Sequence, residues 1–90
     1  MKFEWDAAKS RANREKHGID FETARALWLD EDRIEIDAPH PVENRGITIA
    51  KLHGKLWTAI YTVRSNAVRI ISVRRSREKE EKLYGKEKTG

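Results

Sequence analysis

The chain has 90 residues, 38% of them charged and 38% hydrophobic, with a net charge of +4, three tryptophans and no cysteine. That length suits one small domain with a modest core, and the aromatic content argues against wholesale disorder. Without cysteine there is no disulfide framework and no thiolate metal site; no run approaches the ~20 apolar residues of a membrane span, and the charged N-terminus does not read as a signal peptide, so a cytoplasmic location is expected.

Charge is unevenly spread. Residues 21–63 hold 5 basic and 7 acidic side chains, whereas residues 64–90 hold 9 basic and 4 acidic. A positive pole at one end suggests a polyanionic partner, or simply a solvated basic face.

Phe3-Glu4-Trp5-Asp6 leads into the first predicted helix. Asp6 is a good N-cap for a start at Ala7, and Gly18 after Lys16-His17 is a good stop. Lys9, Asn13 and His17 share a stripe at i, i+4 and i+8, either solvent-exposed or lying beside a substrate groove. Asp20 caps a second helix over about 21–29, where Phe21, Ala24, Leu27 and Trp28 form a core-facing stripe. Asp30-Glu31-Asp32 reads as a solvated acidic turn rather than a cation site. The three histidines have no metal-ligand spacing, and no metal or cofactor is expected.

Residues 33–37 alternate as a short strand, and residues 38–44, with Pro39 and Pro41 around His40, form a loop. Strands are predicted over 45–53 and 56–64, joined at Gly54-Lys55. In the second of these, Trp57, Ala59, Tyr61 and Val63 share one face. Ser65-Asn66 makes the next tight turn, because Asn tolerates the left-handed region. The strand Val68–Arg75 follows and organises the chain. Strict alternation puts Val68, Ile70, Ser72 and Arg74 on one face and Arg69, Ile71, Val73 and Arg75 on the other. Its arginines suit phosphate or the chain's own carboxylates. Ser76 is the expected cap of a final helix from Arg77 to about Tyr84, stopped by Gly85, with a frayed basic tail over 85–90.

The expected fold is α+β: two N-terminal helices packed on one face of a four-stranded, mainly antiparallel sheet, then a C-terminal helix. The whole of residues 1–90 forms a single domain.

Three groups of residues resemble one family in order along the chain. The first is Phe3-Glu4-Trp5-Asp6, Lys9, Asn13, Lys16-His17-Gly18-Ile19, Phe21-Glu22 and Ala24. The second is His40, Glu43 and Arg45. The third is Arg69-Ile70-Ile71-Ser72-Val73-Arg74-Arg75 with Glu81 and Tyr84. Together they resemble the BrnT toxins of bacterial type II toxin–antitoxin pairs. The resemblance implies a RelE-like fold and an endoribonuclease that arrests translation. It also implies a ribbon-helix-helix antitoxin (BrnA-like) that binds operator DNA and forms a hetero-oligomer with the toxin.

Metal-free RNA cleavage needs a base for the ribose 2′-hydroxyl, an acid for the 5′-oxygen and cations for the phosphorane. Arg64, Arg74 and Arg75 are the expected phosphate-holding residues, with His40 and Glu43 as candidates for proton transfer. Lys9, His17, Arg45, Arg69 and Tyr84 are the expected RNA-contacting residues. The structural alternatives are a structural role for Arg69, a plain exposed loop position for His40, a helix cap for His17, an ion pair for Glu43, and core packing for Tyr61, Tyr84, Trp5 and Trp57. A non-catalytic nucleic-acid-binding or protein-interaction module using the same basic face is the competing reading of the whole.

Overall fold

The computed structural model describes the backbone of residues 1–89 and the side chains through Gly85. Its elements are β1 (Lys2–Glu4), α1 (Ala7–His17), α2 (Phe21–Ala24), a 3₁₀ turn (Arg25–Leu29), β2 (Ile34–Ala38), β3 (Arg45–Leu52), β4 (Lys55–Arg64), β5 (Ala67–Arg75) and α3 (Glu78–Thr89).

The sheet has five strands in the order β1-β5-β4-β3-β2. The α+β class stands, and the four-stranded expectation is corrected by β1. Three residues are too few to show alternation, and β1 is a strand only because it pairs in parallel with Ala67–Arg69. All other pairings are antiparallel, through the two predicted hairpins. Their turns fall at His53-Gly54 and Ser65-Asn66, all four residues at positive φ. These left-handed pairs match the twist of the flanking strands.

The expected alternation of β5 breaks at a bulge. Ile60 pairs with Ser72 and Tyr61 with Ile70, so Ile71 is an extra residue. The bulge switches the pleat. Val68, Ile70 and Val73 all enter the core, while Arg69, Ser72 and Arg74 share the opposite face.

α2 and the 3₁₀ turn lie on the first face. The predicted second helix is thus one α-turn continued as a tighter 3₁₀ segment, with the same stripe of Phe21, Ala24, Leu27 and Trp28 buried. They pack on Ala50, Trp57, Ala59, Val68, Ile70 and Val73. Edge-on ring contacts link Phe3 to Trp28 at 5.2 Å and Trp28 to Tyr61 at 5.5 Å. At Gly46 an added Cβ would stand 2.3 Å from Tyr61 Cζ, so the absence of a side chain there lets the tyrosine ring lie on β3.

α1 docks differently. It starts at the Asp6 cap and ends at Gly18 in the left-handed region, as its sequence implies. Its buried residues are polar: Ser10 and Asn13. Beyond Arg69, β5 has no strand on its outer side, and Asn13 finishes that edge. Its amide nitrogen donates to Val73 O at 2.9 Å and Ile19 O at 2.8 Å, while its oxygen accepts from Val73 N at 3.2 Å. Ser10 Oγ accepts from Phe21 N at 2.9 Å. The Lys9–Asn13–His17 stripe is therefore split: Lys9 is exposed, His17 half-buried and Asn13 buried.

α3 crosses the second face at one end of the sheet. Ser76 does not cap it; its hydroxyl meets Thr58 Oγ1 at 2.8 Å. Glu80 supplies the cap by accepting from Arg77 N at 2.7 Å. The backbone helix passes through Gly85 to Thr89, so Gly85 does not stop it. The expected frayed tail falls on side chains 86–89 and on Gly90, outside the described residues. Tyr84 is buried and donates to Asp30 Oδ2 at 2.8 Å; the same oxygen accepts from Lys51 N at 2.8 Å. Asp30, expected in a merely solvated turn, thus ties the 3₁₀ turn to β3 and α3. Among the described residues no helix is long and apolar enough to cross a membrane.

Candidate functional site

The second face of the sheet is divided by α3. Under the helix lie Ile49 and Thr58, both fully buried. Next comes a strip of half-buried isoleucines, Ile36, Ile47 and Ile60, paired across β2, β3 and β4. Beyond it the face is open and basic.

Thr62 pairs with Arg69 on β5. One step beyond the Gly46–Tyr61 pair, Arg45 of β3 lies opposite Thr62 on its other side. With strands ~4.8 Å apart, Arg45 and Arg69 therefore flank Thr62 across about 10 Å of sheet. Thr62 is buried and donates to Asn44 O at 2.9 Å, which ties down the start of β3. Arg64 lies two residues along β4, on the same side of the pleat, about 7 Å further on. These three guanidiniums form a shallow triangle over the open end.

Each makes weak internal contacts. Arg64 meets Glu43 Oε2 at 3.3 Å, and Arg69 is 4.0 Å from Glu4 Oε1. Exposed pairs of this kind contribute ~1 kcal/mol or less and open readily. Arg45 buries its Nε without a hydrogen-bond partner among the described residues. An orphaned buried donor is uncommon and needs a reason.

His40 and Glu43 stand in the loop 39–44 at this same end. His40 Nδ1 accepts from Val42 N at 3.2 Å. That bond places the proton of the neutral ring on Nε2, the outward nitrogen.

The other expected residues are elsewhere. Arg74 pairs opposite Thr58, six β4 residues from Arg64, or roughly 20 Å. It is held by α3 in a two-pronged pair with Glu80, at 2.7 and 2.8 Å. The pair holds the Glu80 carboxyl down at about 2, its largest cause being the hydrogen bond from Arg74. Arg75 is exposed on the opposite face, 5.5 Å over the Trp57 ring. The expected group of Arg64, Arg74 and Arg75 is thus not brought together, because strand length and the pleat separate its members. Lys9 is exposed in the first turn of α1, where Asp6 lies within electrostatic reach of both Lys9 and Arg69, and His17 is half-buried at that helix's other end. Tyr84 is buried, with burial and Asp30 pushing its hydroxyl up to about 12. It offers RNA no free ring.

What sequence reading missed was adjacency. Arg45 and Arg69 stood in the second rank of candidates, and only the hairpin registers show that they flank one threonine. Asp37 and Asn44 were not singled out at all. With Arg45, Gly46, Tyr61 and Val63 they line a cavity of about 310 Å³ at this end of the sheet.

In chemical terms, an anion can be held by three cations on an open, rigid sheet, beside a carboxylate and an imidazole on a loop. The family model for the ribonuclease toxin, BrnT, of type II toxin–antitoxin systems matches residues 5–80. No curated protein matches the chain. The matched segment covers every element from α1 through β5 and enters α3. The chain belongs to the BrnT family of ribonuclease toxins of type II toxin–antitoxin systems.

Proposed function

We propose that this toxin is a metal-independent endoribonuclease whose RNA lies over the open end of the sheet. The observation that carries this reading is the Arg45–Thr62–Arg69 row with Arg64 beside it, on the face that α1 and α2 leave bare. The arginines hold the scissile phosphate and offset the charge that grows on its oxygens. When phosphate engages Arg64, Glu43 is freed from its ion pair. Its carboxylate takes the proton of the 2′-hydroxyl as that oxygen bonds to phosphorus. The bond from phosphorus to the 5′-oxygen breaks, and His40, protonated on both nitrogens once Nδ1 has released the Val42 N–H, supplies the proton from Nε2. The products are a 2′,3′-cyclic phosphate and a 5′-hydroxyl. Arg74 is a positioning residue here, holding α3 away from the open end through Glu80.

The partner in this reading is a ribbon-helix-helix antitoxin, which neutralises the toxin and binds operator DNA as part of the complex. The isoleucine strip beside the basic row gives such a partner an apolar seat next to the site it blocks.

The test uses purified toxin and a long single-stranded RNA in EDTA, run on a denaturing gel. Wild type should produce fragments with cyclic phosphate ends, and an Arg45→Ala, Arg69→Ala double variant should lose at least tenfold in rate. RNA that is retarded on a native gel yet stays full length in the wild-type lane would instead mark a non-catalytic RNA-binding module. Adding the ribbon-helix-helix antitoxin should abolish cleavage.

A further inference from the structure

We infer that β2 is a docking edge for an extended basic segment of a partner protein, which pairs with its open side as an added strand and sets cationic side chains against Glu35 and Asp37. The arginine row lies on the opposite face of the sheet and takes no part, so this edge is independent of the RNA-cleaving reading.

β2 ends the sheet, with β3 on one side and no strand on the other. Its ladder with β3 runs from Ile34 to Ala38 without a bulge, and the strand contains neither proline nor lysine. Proteins commonly use those devices to keep an edge from pairing. Alternate residues of an edge strand turn their N–H and C=O groups outward, where an extended chain can complete them. Five residues give such a chain ~17 Å of ladder. The edge is guarded only by two carboxylates, and that guard is selective.

Glu35 and Asp37 are exposed on one face, opposite Thr48 and Gly46 of β3. Two β2 strands paired antiparallel about Ile36 would set Glu35 opposite a second Asp37. Like charges directly opposite are destabilising, so a second copy of this chain is disfavoured. A nucleic-acid backbone is repelled for the same reason. Asp37 makes no ion pair or side-chain hydrogen bond among the described residues, which leaves its carboxylate ready for a cation. Tyr61 lies beside it. Because Gly46 has no side chain, the ring crosses β3, and its hydroxyl donates to Glu35 Oε1 at 3.2 Å. Burial, then the charges of Glu35 and Asp37, push that hydroxyl above its ordinary range, in keeping with one shared side. Asp37, Tyr61 and the exposed Val63 border the cavity of about 310 Å³ at this end; Arg45 borders it too, but from the opposite face. That wall fits a lysine or arginine, with its stem along Val63 and its charge between the carboxylate and the ring. On the other face Ile34 and Ile36 are half-buried, and an apolar residue of the added strand would lengthen the isoleucine strip that ends at Ile36. The occupant therefore alternates basic and apolar residues.

The probe is the peptide acetyl-TVKVRVT-amide, titrated into the nitrogen-15-labelled chain and followed by amide shifts. The shifts should centre on residues 34–38, and exchange of the outward β2 amides should slow. The charge-reversed acetyl-TVEVEVT-amide should bind at least tenfold more weakly. The basic peptide N-methylated at every residue keeps its charge but cannot donate to the edge, and it should lose the shifts along β2. Asp37→Asn should weaken the basic peptide about threefold and Asp37→Lys about tenfold. Asp37 is exposed, and a free spectrum matching wild type outside β2 is the check that each variant keeps the fold. Arg45→Ala with Arg69→Ala should leave the Kd of the basic peptide within about twofold of wild type, because those side chains face the other way. Absence of any shift at ~1 mM basic peptide overturns the inference. Shifts centred away from β2, equal affinity for the two peptides, or an unchanged Kd in both Asp37 variants overturns it as well.

Discussion

Replacing Asn13 by Ala should be among the most damaging single changes outside the hydrophobic core. The side chain makes three hydrogen bonds of 2.8–3.2 Å to Ile19 O, Val73 O and Val73 N. Val73 is fully buried and Ile19 nearly so. Truncation strands one N–H and two C=O groups, each costing about 1–3 kcal/mol when left unmatched. Partial access of water to the new space lowers the sum, leaving about 3–5 kcal/mol, against a total stability of about 5–15 kcal/mol for a domain of this kind. With a urea slope of ~1 kcal/mol per molar, the unfolding midpoint should fall by ~3–5 M. Lys9→Ala, one helical turn away and exposed, should change stability by under ~0.5 kcal/mol. Asn13→Asp should not rescue, because a carboxylate can accept from Val73 N–H but meets two carbonyls with no donor. Amide exchange at Val73 should accelerate in step with the loss. A midpoint shift under ~1 M for Asn13→Ala would refute the claim that this amide, rather than apolar contact, holds α1 to the sheet.

Arginine roles separate by salt: Arg45→Ala with Arg69→Ala should lower the slope of log Kd for single-stranded RNA against log salt by ~1.4, whereas Arg74→Ala should leave that slope near wild type and lower the melting temperature. The Glu80 carboxyl sits at about 2, below its ordinary 4.5. A depressed carboxyl contributes stability that is complete above about 4.5 and is lost as pH falls toward 2, so the advantage of wild type over Glu80→Gln in urea melts should shrink across that window. Gly46→Ala should cost roughly 1–3 kcal/mol in thermal unfolding, because the new Cβ at 2.3 Å from Tyr61 Cζ drives the ring off Trp28. An ultraviolet titration of the chain's two tyrosines should show both ionising above pH 10, Tyr84 near 12, and Tyr84→Phe should remove the later step.

The parts of this fold written in local chemistry were legible. Asp6 and Gly18 bound α1, the apolar stripe of 21–29 turned inward, and Asn66 marked a tight turn. What escaped depends on partners distant in sequence. β1 is too short to carry a pattern and exists through β5. The extra residue Ile71 reverses the pleat, and nothing in a run of Ile-Ile announces which one bulges. Asn13 was expected on a stripe facing either solvent or a substrate groove, and Asp30 in a solvated turn; each instead pairs with backbone groups far along the chain. The site followed the same division. The basic pole of the last third was readable from composition, but strict alternation split Arg69 and Arg74 between two faces, and only the bulge puts them on one. Which arginines meet on it was not readable, because Arg64, Arg74 and Arg75 are close in sequence or type, yet the sheet sends them to opposite ends and opposite faces.

The pairing of the first strand with the last has a consequence for synthesis. β1 and α1 are made before β5, but both dock on it, and Asn13 waits for Val73, 60 residues later. Contacts of such separation close slowly and only after the intervening chain is available. Arg69, half of the arginine row that flanks Thr62, arrives with that same strand. A growing chain thus carries neither a finished sheet nor the Arg45–Arg69 row until β5 has been made.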